Sequence, residues 1–201
     1  MVKRSINIDL LHWQEWKKKM NYESLAIPDV VLLTPKKFGD ERGFFMETFR
    51  QSEFVEHCGN YTFVQDNHSK SRQGILRGLH YQLNQPQGKL VRVTQGEVFD
   101  VAVDMRKSSP TFGKWVGAHL SADNQQMLWV PPGFAHGFYV ISESAEFQYK
   151  CTDYYAPGDE YSLKWNDATV GIEWPLVSGE SPQLSGKDEE GRSFEEASVF
   201  A

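Results

Sequence analysis

The strongest constraint on the fold is a rhythm. Short runs rich in β-branched and aromatic residues, VVLL, YTFV, KLVRV, EVFDVAVDM and EFQYKCT, are broken by turn clusters GDERG, NQPQG, KSSPTFG, PPG and APGDE. From Ile27 onward the turn signals recur roughly every 8–12 residues, which points to an all-β sandwich or barrel of about ten strands. Only QSEFVEHC, residues 51–58, reads as a helix inside this region. A chain of 201 residues can bury its apolar surface around one core, so residues 26–201 are read as a single domain. Its tail turns polar after Trp174-Pro175 and is expected to wrap the barrel edge or fray. Residues 1–25 form an extension. Ile6, Leu10, Trp13 and Met20 recur there at about helical spacing, Asp9 can cap and Lys17-Lys18-Lys19 sits late, which fits a short amphipathic helix packed on the domain.

Charge and composition remove several functions. With 21 Lys plus Arg against 27 Asp plus Glu, the net charge is −6. No diffuse basic field exists to hold nucleic acid, although a local cationic pocket for a small anion remains open. No stretch approaches the length and apolarity of a membrane span, and the N-terminus lacks a signal-peptide core, so the chain is read as cytoplasmic. Cys58 and Cys151 match no zinc or redox spacing and fit small hydrophobes in a reducing compartment, while one disulfide stays open.

Alternation along strands says which side chains turn inward. In AEFQYKCT, Phe147, Tyr149 and Cys151 share one face, so Tyr149 points into the barrel. In KLVRV, Lys89 falls with Val91 and Val93, which puts an ammonium on an apolar face: a snorkelling strand-end lysine or an aimed cation. In ILRGLHYQ, strict alternation would separate Arg77 from His80, but a β-bulge at Gly78 would bring both to one surface. Read from this strand alone, His80 fits a hydrogen-bonded core histidine better than a base. GLHYQ together with PPGFAHGF, which carries His136, resembles the two-motif layout of cupin barrels. Tyr81 and Gln82 stand where metal-binding cupins place further ligands, and two histidines fall short of the usual three protein ligands. No metal is expected.

The ordered set FGDERGFFME, FVQDNHSKS, LRGLHYQ, QGKLVRV, GEVFDVAVDMRKSSPTFG, LWVPPGFAHGF, FQYKCTDYYAPGDE and LSGKD resembles the dTDP-4-dehydrorhamnose 3,5-epimerase family across about residues 26–188. The resemblance implies a cupin-like jelly-roll β-barrel with a few short flanking helices. It also implies a homodimer that inverts C3 and C5 of a dTDP-linked 4-keto-6-deoxyhexose, with neither metal nor organic cofactor. The C4 ketone acidifies both neighbouring C–H bonds, so the protein must supply a base, an acid on the opposite face, and a cation near the enolate oxygen.

By that resemblance His80 is the base, Asp188 its orienting carboxylate, Tyr149 the acid and Lys89 the cation. Arg77, Arg42 and Lys187 correspond to nucleotide contacts, their charge and, for the arginines, their fork suited to a diphosphate. Glu47, Gln65, Asn67, His136, Tyr155 and Glu160 match binding positions, with Asp66 in the same QDN turn. Phe45 shares a face with Glu47 if that segment is extended, and is a candidate thymine contact. The GDERGFFME strand is implied to reach the neighbouring subunit's site, so the dimer would complete it.

Overall fold

Two antiparallel sheets face each other, and alternating apolar residues from both fill the space between them. In this computed structural model, which describes residues 20–201, the first sheet contains β1 (Asn21–Ser24), β2 (Val31–Thr34), β5 (Gln65–Arg72), β7 (Lys89–Gln95), β10 (Met127–Val130) and β12 (Ser144–Cys151). Their spatial order is β1-β2-β10-β7-β12-β5. The second has β6 (Leu76–Gln82), β8 (Glu97–Asp104), β9 (Trp115–Ser121), β11 (Phe134–Val140) and β13 (Glu160–Ser162), in the order β13-β6-β11-β8-β9. A hairpin of β3 (Lys37–Asp40) and β4 (Gly43–Met46) stands apart from both. This is a jelly-roll, with its two sheets packed face to face rather than joined by hydrogen bonds into one closed barrel.

The inter-sheet core takes Val91, Val93 and Phe147 from one sheet and Val98, Ala102 and Phe138 from the other. Phe138 and Phe147 stack with centroids 4.1 Å apart, joining the sheets beneath the central cavity. Each outer face has its own cover. The expected helix forms as α1 (Gln51–Cys58) and presses Phe54 onto Trp129, with Phe49 and Phe63 around it. On the other side the tail returns: Ile172, Trp174, Phe194 and Phe200 cover Leu79, Val101 and Val103. The tail therefore wraps the sheet. Each large apolar side chain so covered contributes roughly 1.5–3 kcal/mol, which is why a segment of polar average composition stays docked.

Three local expectations change. YTFV is not a strand; Tyr61 and Phe63 are an extended connection packed on the outer cluster, and the strand begins at Gln65. The last residues of the N-terminal extension form β1, paired with β2, rather than helix; the rest of the expected helix lies outside the described residues. Cys58 and Cys151 are separate free thiols, Cys58 in the outer cluster and Cys151 buried in the wall of the central cavity's sheet.

Candidate active site

Register decides what meets in the space between the sheets. Across the first sheet, Gln65, Cys151 and Lys89 stand in one row, with Asn67, Tyr149 and Val91 in the next. Tyr149 faces inward and packs on the core, as alternation predicts. Lys89 enters the same cavity instead of reaching for solvent. On the second sheet His80 pairs with His136 and Arg77 with Phe138, so two residues of β6, Gly78 and Leu79, stand against one of β11, Gly137. That extra residue is the bulge expected at Gly78, whose φ is +116°. A Cβ there would sit 2.6 Å from the Gly137 backbone, so only glycine fits the approach. The bulge turns Arg77 and His80 into one cavity of about 410 Å³.

The cavity gathers His80, Asp188, Tyr149 and Lys89, with Arg77 and Lys187 among its cationic groups. Gln65, Asn67, His136, Tyr155 and Glu160 also line it. His80 and Tyr149 come from facing sheets and stand on opposite walls.

Asp188 belongs to a helical turn, Gly186–Glu189, that begins with a capping box: Ser185 and Asp188 each bond the other's backbone N–H. Asp188 Oδ1 meets His80 Nε2 at 2.6 Å and accepts the Gly78 N–H at 3.1 Å; Oδ2 accepts the Ser185 hydroxyl at 2.6 Å. Burial alone would raise this carboxyl, but the bonds from His80 and Ser185 outweigh it and hold it at about 2. Burial, with Lys187 and Lys89 nearby, moves the His80 imidazole below its ordinary value against the pull of Asp188. The ring is therefore neutral at pH 7. With the Asp188 carboxylate accepting a hydrogen bond from Nε2–H, Nδ1 is the nitrogen free to accept a proton.

Burial pushes the Tyr149 phenol up to about 12, so it keeps its proton and can give it. Burial lowers the Lys89 ammonium, against the attraction of Glu160 and Asp100 among others. Glu160 Oε1 meets Lys187 Nζ at 2.5 Å, and Oε2 accepts the Tyr155 hydroxyl at 2.8 Å. Arg77 is held by the Ser71 hydroxyl at 2.9 Å.

Three sequence candidates lie elsewhere in this chain. Asp66 alternates to the outer face of β5, where it pairs with Lys150 at 3.0 Å. Arg42 is 84% exposed at the tip of the β3–β4 hairpin and is ion-paired with Asp40. Glu47 follows β4 and pairs with Arg50 at 2.7 Å. Phe45, on the same hairpin, is exposed.

Two contributors went unread. Asp100 meets His136 Nε2 at 2.9 and 3.0 Å behind the cavity wall. It alternates with Val98 and Ala102, so an acid on an apolar face was the available signal. Ser185 was readable from its three-residue spacing to Asp188, the spacing of a capping box.

Comparison with known proteins places the sequence and the fold. A family profile described as dTDP-4-dehydrorhamnose 3,5-epimerase matches residues 24–196. A dTDP-4-dehydrorhamnose 3,5-epimerase from Pseudomonas aeruginosa is 58% identical over 182 residues, spanning 90% of this chain and 99% of that one. The crystal structure of a dTDP-6-deoxy-D-glucose-3,5-epimerase from Legionella pneumophila, in complex with dTDP-4-keto-L-rhamnose, has TM-score 0.86 and 52% identity, covering 89% and 95% of the two chains. A 3'-monoepimerase from Streptomyces bikiniensis, in complex with dTDP-quinovose, shares the fold at TM-score 0.80 and 31% identity, over 86% and 87%. With the profile running through both sheets and the turn that carries Asp188, the chain belongs to the dTDP-4-dehydrorhamnose 3,5-epimerase family.

Proposed function

We propose that the protein converts dTDP-4-dehydro-6-deoxy-D-glucose into dTDP-4-dehydro-L-rhamnose by inverting C3 and C5, a step of dTDP-L-rhamnose biosynthesis, without metal or organic cofactor. The observation that carries this reading is the His80–Asp188 pair standing across one cavity from Tyr149. His80 takes a proton from the carbon beside the ketone through Nδ1, and Asp188 stabilises the imidazolium. The electron pair moves to the ketone oxygen, where the Lys89 ammonium offsets the charge in a site of low dielectric. Tyr149 returns a proton to the opposite face of the same carbon, completing one inversion.

Arg77 and Lys187 suit the diphosphate, and Gln65, Asn67, His136, Tyr155 and Glu160 the sugar and nucleoside. The exposed hairpin with Arg42, Phe45 and Glu47 supports a homodimer in which it completes the neighbouring copy's site; Asp66 is left out of this assignment. The enzyme works in the cytoplasm.

Incubation of the keto sugar in deuterated water tests the reaction. Deuterium at both C3 and C5 of the product is expected. Label at C3 alone would mean a monoepimerase, and binding without exchange would mean a noncatalytic sugar-nucleotide module.

A further inference from the structure

Inverting two centres poses a problem that one His–Tyr pair does not solve by itself. In a gluco-configured ring the hydrogens on C3 and C5 are both axial and lie on the same face. One base must therefore take both, and the first proton must leave it before the second abstraction. His80 Nε2 is engaged by Asp188, so the proton arrives at Nδ1 and has to depart from there.

Nδ1 lies 3.9 Å from Glu160 Oε1. That gap is too long for a hydrogen bond, and a side-chain rotation that brings the two atoms about 1 Å closer would close it. The other Glu160 oxygen accepts the Tyr155 hydroxyl at 2.8 Å. The Glu160 side chain is 12% exposed and Tyr155 49% exposed, so the carboxylate bridges a half-buried imidazole and a solvent-facing phenol. Resting on the epimerase reading above, we infer that Glu160 and Tyr155 form the exit path for the proton His80 removes, resetting the base between the two inversions.

The balance closes without any redox partner. The C–H bond breaks, its proton goes to Nδ1 and its electron pair to the ketone oxygen. The imidazolium passes a proton to Glu160 Oε1; the carboxyl then turns that proton toward Tyr155, whose hydroxyl reverses its bond, accepting from Glu160 while its own proton goes to water. The phenolate left on Tyr149 takes a proton back from solvent, so each inversion returns every group to its starting state. Lys187 shares Oε1 with this path and opposes protonation there; a diphosphate that draws the ammonium away makes Glu160 the better acceptor when substrate is bound. Lys89 and Tyr149 face Glu160 from across the cavity, and their charges and protons enter its titration as well.

The test is Glu160→Gln, followed in deuterated water under single turnover by mass spectrometry and proton NMR. The amide cannot take up the proton, so singly labelled, singly inverted sugar is expected to build up by about tenfold or more over wild type. Glu160→Asp, which keeps a carboxylate, should restore the wild-type ratio, and the acid limb of the pH profile should move in Glu160→Gln but not in Glu160→Asp. A wild-type ratio in Glu160→Gln, or a loss confined to KM, would overturn the relay and leave Glu160 a substrate contact. If wild-type enzyme itself labels one carbon only, the epimerase reading fails instead.

Discussion

Two histidine–aspartate pairs serve the same cavity, Asp188 lining it and Asp100 standing behind its wall, and they are built differently. His80 is 22% exposed and meets one oxygen of Asp188, whose remaining capacity is taken by the Gly78 N–H and by Ser185. His136 is 7% exposed and meets both oxygens of Asp100, a fully buried carboxyl within an apolar strand. The consequences diverge. Asp188 is held at about 2 because its donors outweigh burial, whereas burial drives the Asp100 carboxyl upward against the attraction of His136 and Lys89. Depth of burial and the number of donors together, rather than proximity to a histidine, decide whether an aspartate serves as a steady anion. The first pair is fit to stabilise an imidazolium; the second is fit to hold a ring in place.

Replacing each aspartate by asparagine breaks this contrast most directly. Asp188→Asn removes the anion behind His80, the proposed base, and kcat should fall by about 10²–10⁴. Asp100→Asn should leave kcat within about tenfold, since no proton is moved there. Exchange rates in deuterated water measure both, and equal losses would erase the distinction. The pH dependence sharpens it. Because the His80 value in the folded protein lies below the ordinary 6.5, the base stays neutral through pH 7, and the acid limb of kcat/KM should fall below that value. Asp188 acts on stability in its own window. A carboxyl lowered from 3.8 to about 2 stabilises the fold above pH 4 by about 2 kcal/mol, and that contribution is lost as the pH falls toward 2. Acid unfolding of Asp188→Asn should lack this component.

The same two pairs show where sequence is readable. Alternation placed Tyr149 and Lys89 on the inner face, and a glycine between two apolar stretches placed the bulge that brings His80 beside Arg77. Local chemistry was enough, because each depends on neighbours within a few residues. The strand QDNHSKSR was missed for a functional reason. Its inner face carries Gln65, Asn67 and Ser69 into the cavity and its outer face carries Asp66, His68 and Lys70, so neither face is apolar and no period of two is visible. The meeting of His80 with Asp188 was legible only through family resemblance, since 108 residues separate them and the helical turn that delivers the carboxylate looks like solvated tail. Arg42 and Glu47 are bound within this chain only to near neighbours, Asp40 and Arg50, so alternation and spacing say nothing of what they serve; the exposed Phe44 and Phe45 between them are the local sign of a missing surface.

A moderate effect is expected at the second pair. In Asp100→Asn one carboxylate oxygen becomes an amide that points a donor at His136 and Lys89, leaving polar groups poorly matched in a fully buried place. The cost should be about 1–3 kcal/mol, read as a lower urea midpoint with unchanged slope. An unchanged midpoint would mean that Asp100 does nothing to fix His136, and the two pairs would then differ in exposure alone.

Ser185→Ala should give the smallest effect. Removing this hydroxyl takes away the helix cap, worth about 0.5–2 kcal/mol, and also the shorter of the two bonds that Ser185 donates to Asp188 Oδ2. With one donor fewer, burial regains ground and the carboxyl moves back toward its ordinary value, so the acid loss of stability begins at higher pH than in wild type. The His80 bond to Oδ1 remains, and kcat should drop only severalfold, since about 1 kcal/mol of anion stabilisation corresponds to roughly a factor of five. A cap alone would lower stability equally at every pH, whereas a donor to the Asp188 carboxylate tilts the curve. Parallel curves for Ser185→Ala and wild type between pH 2 and 7 would therefore reduce Ser185 to its helix and leave the firmness of Asp188 to His80 and Gly78.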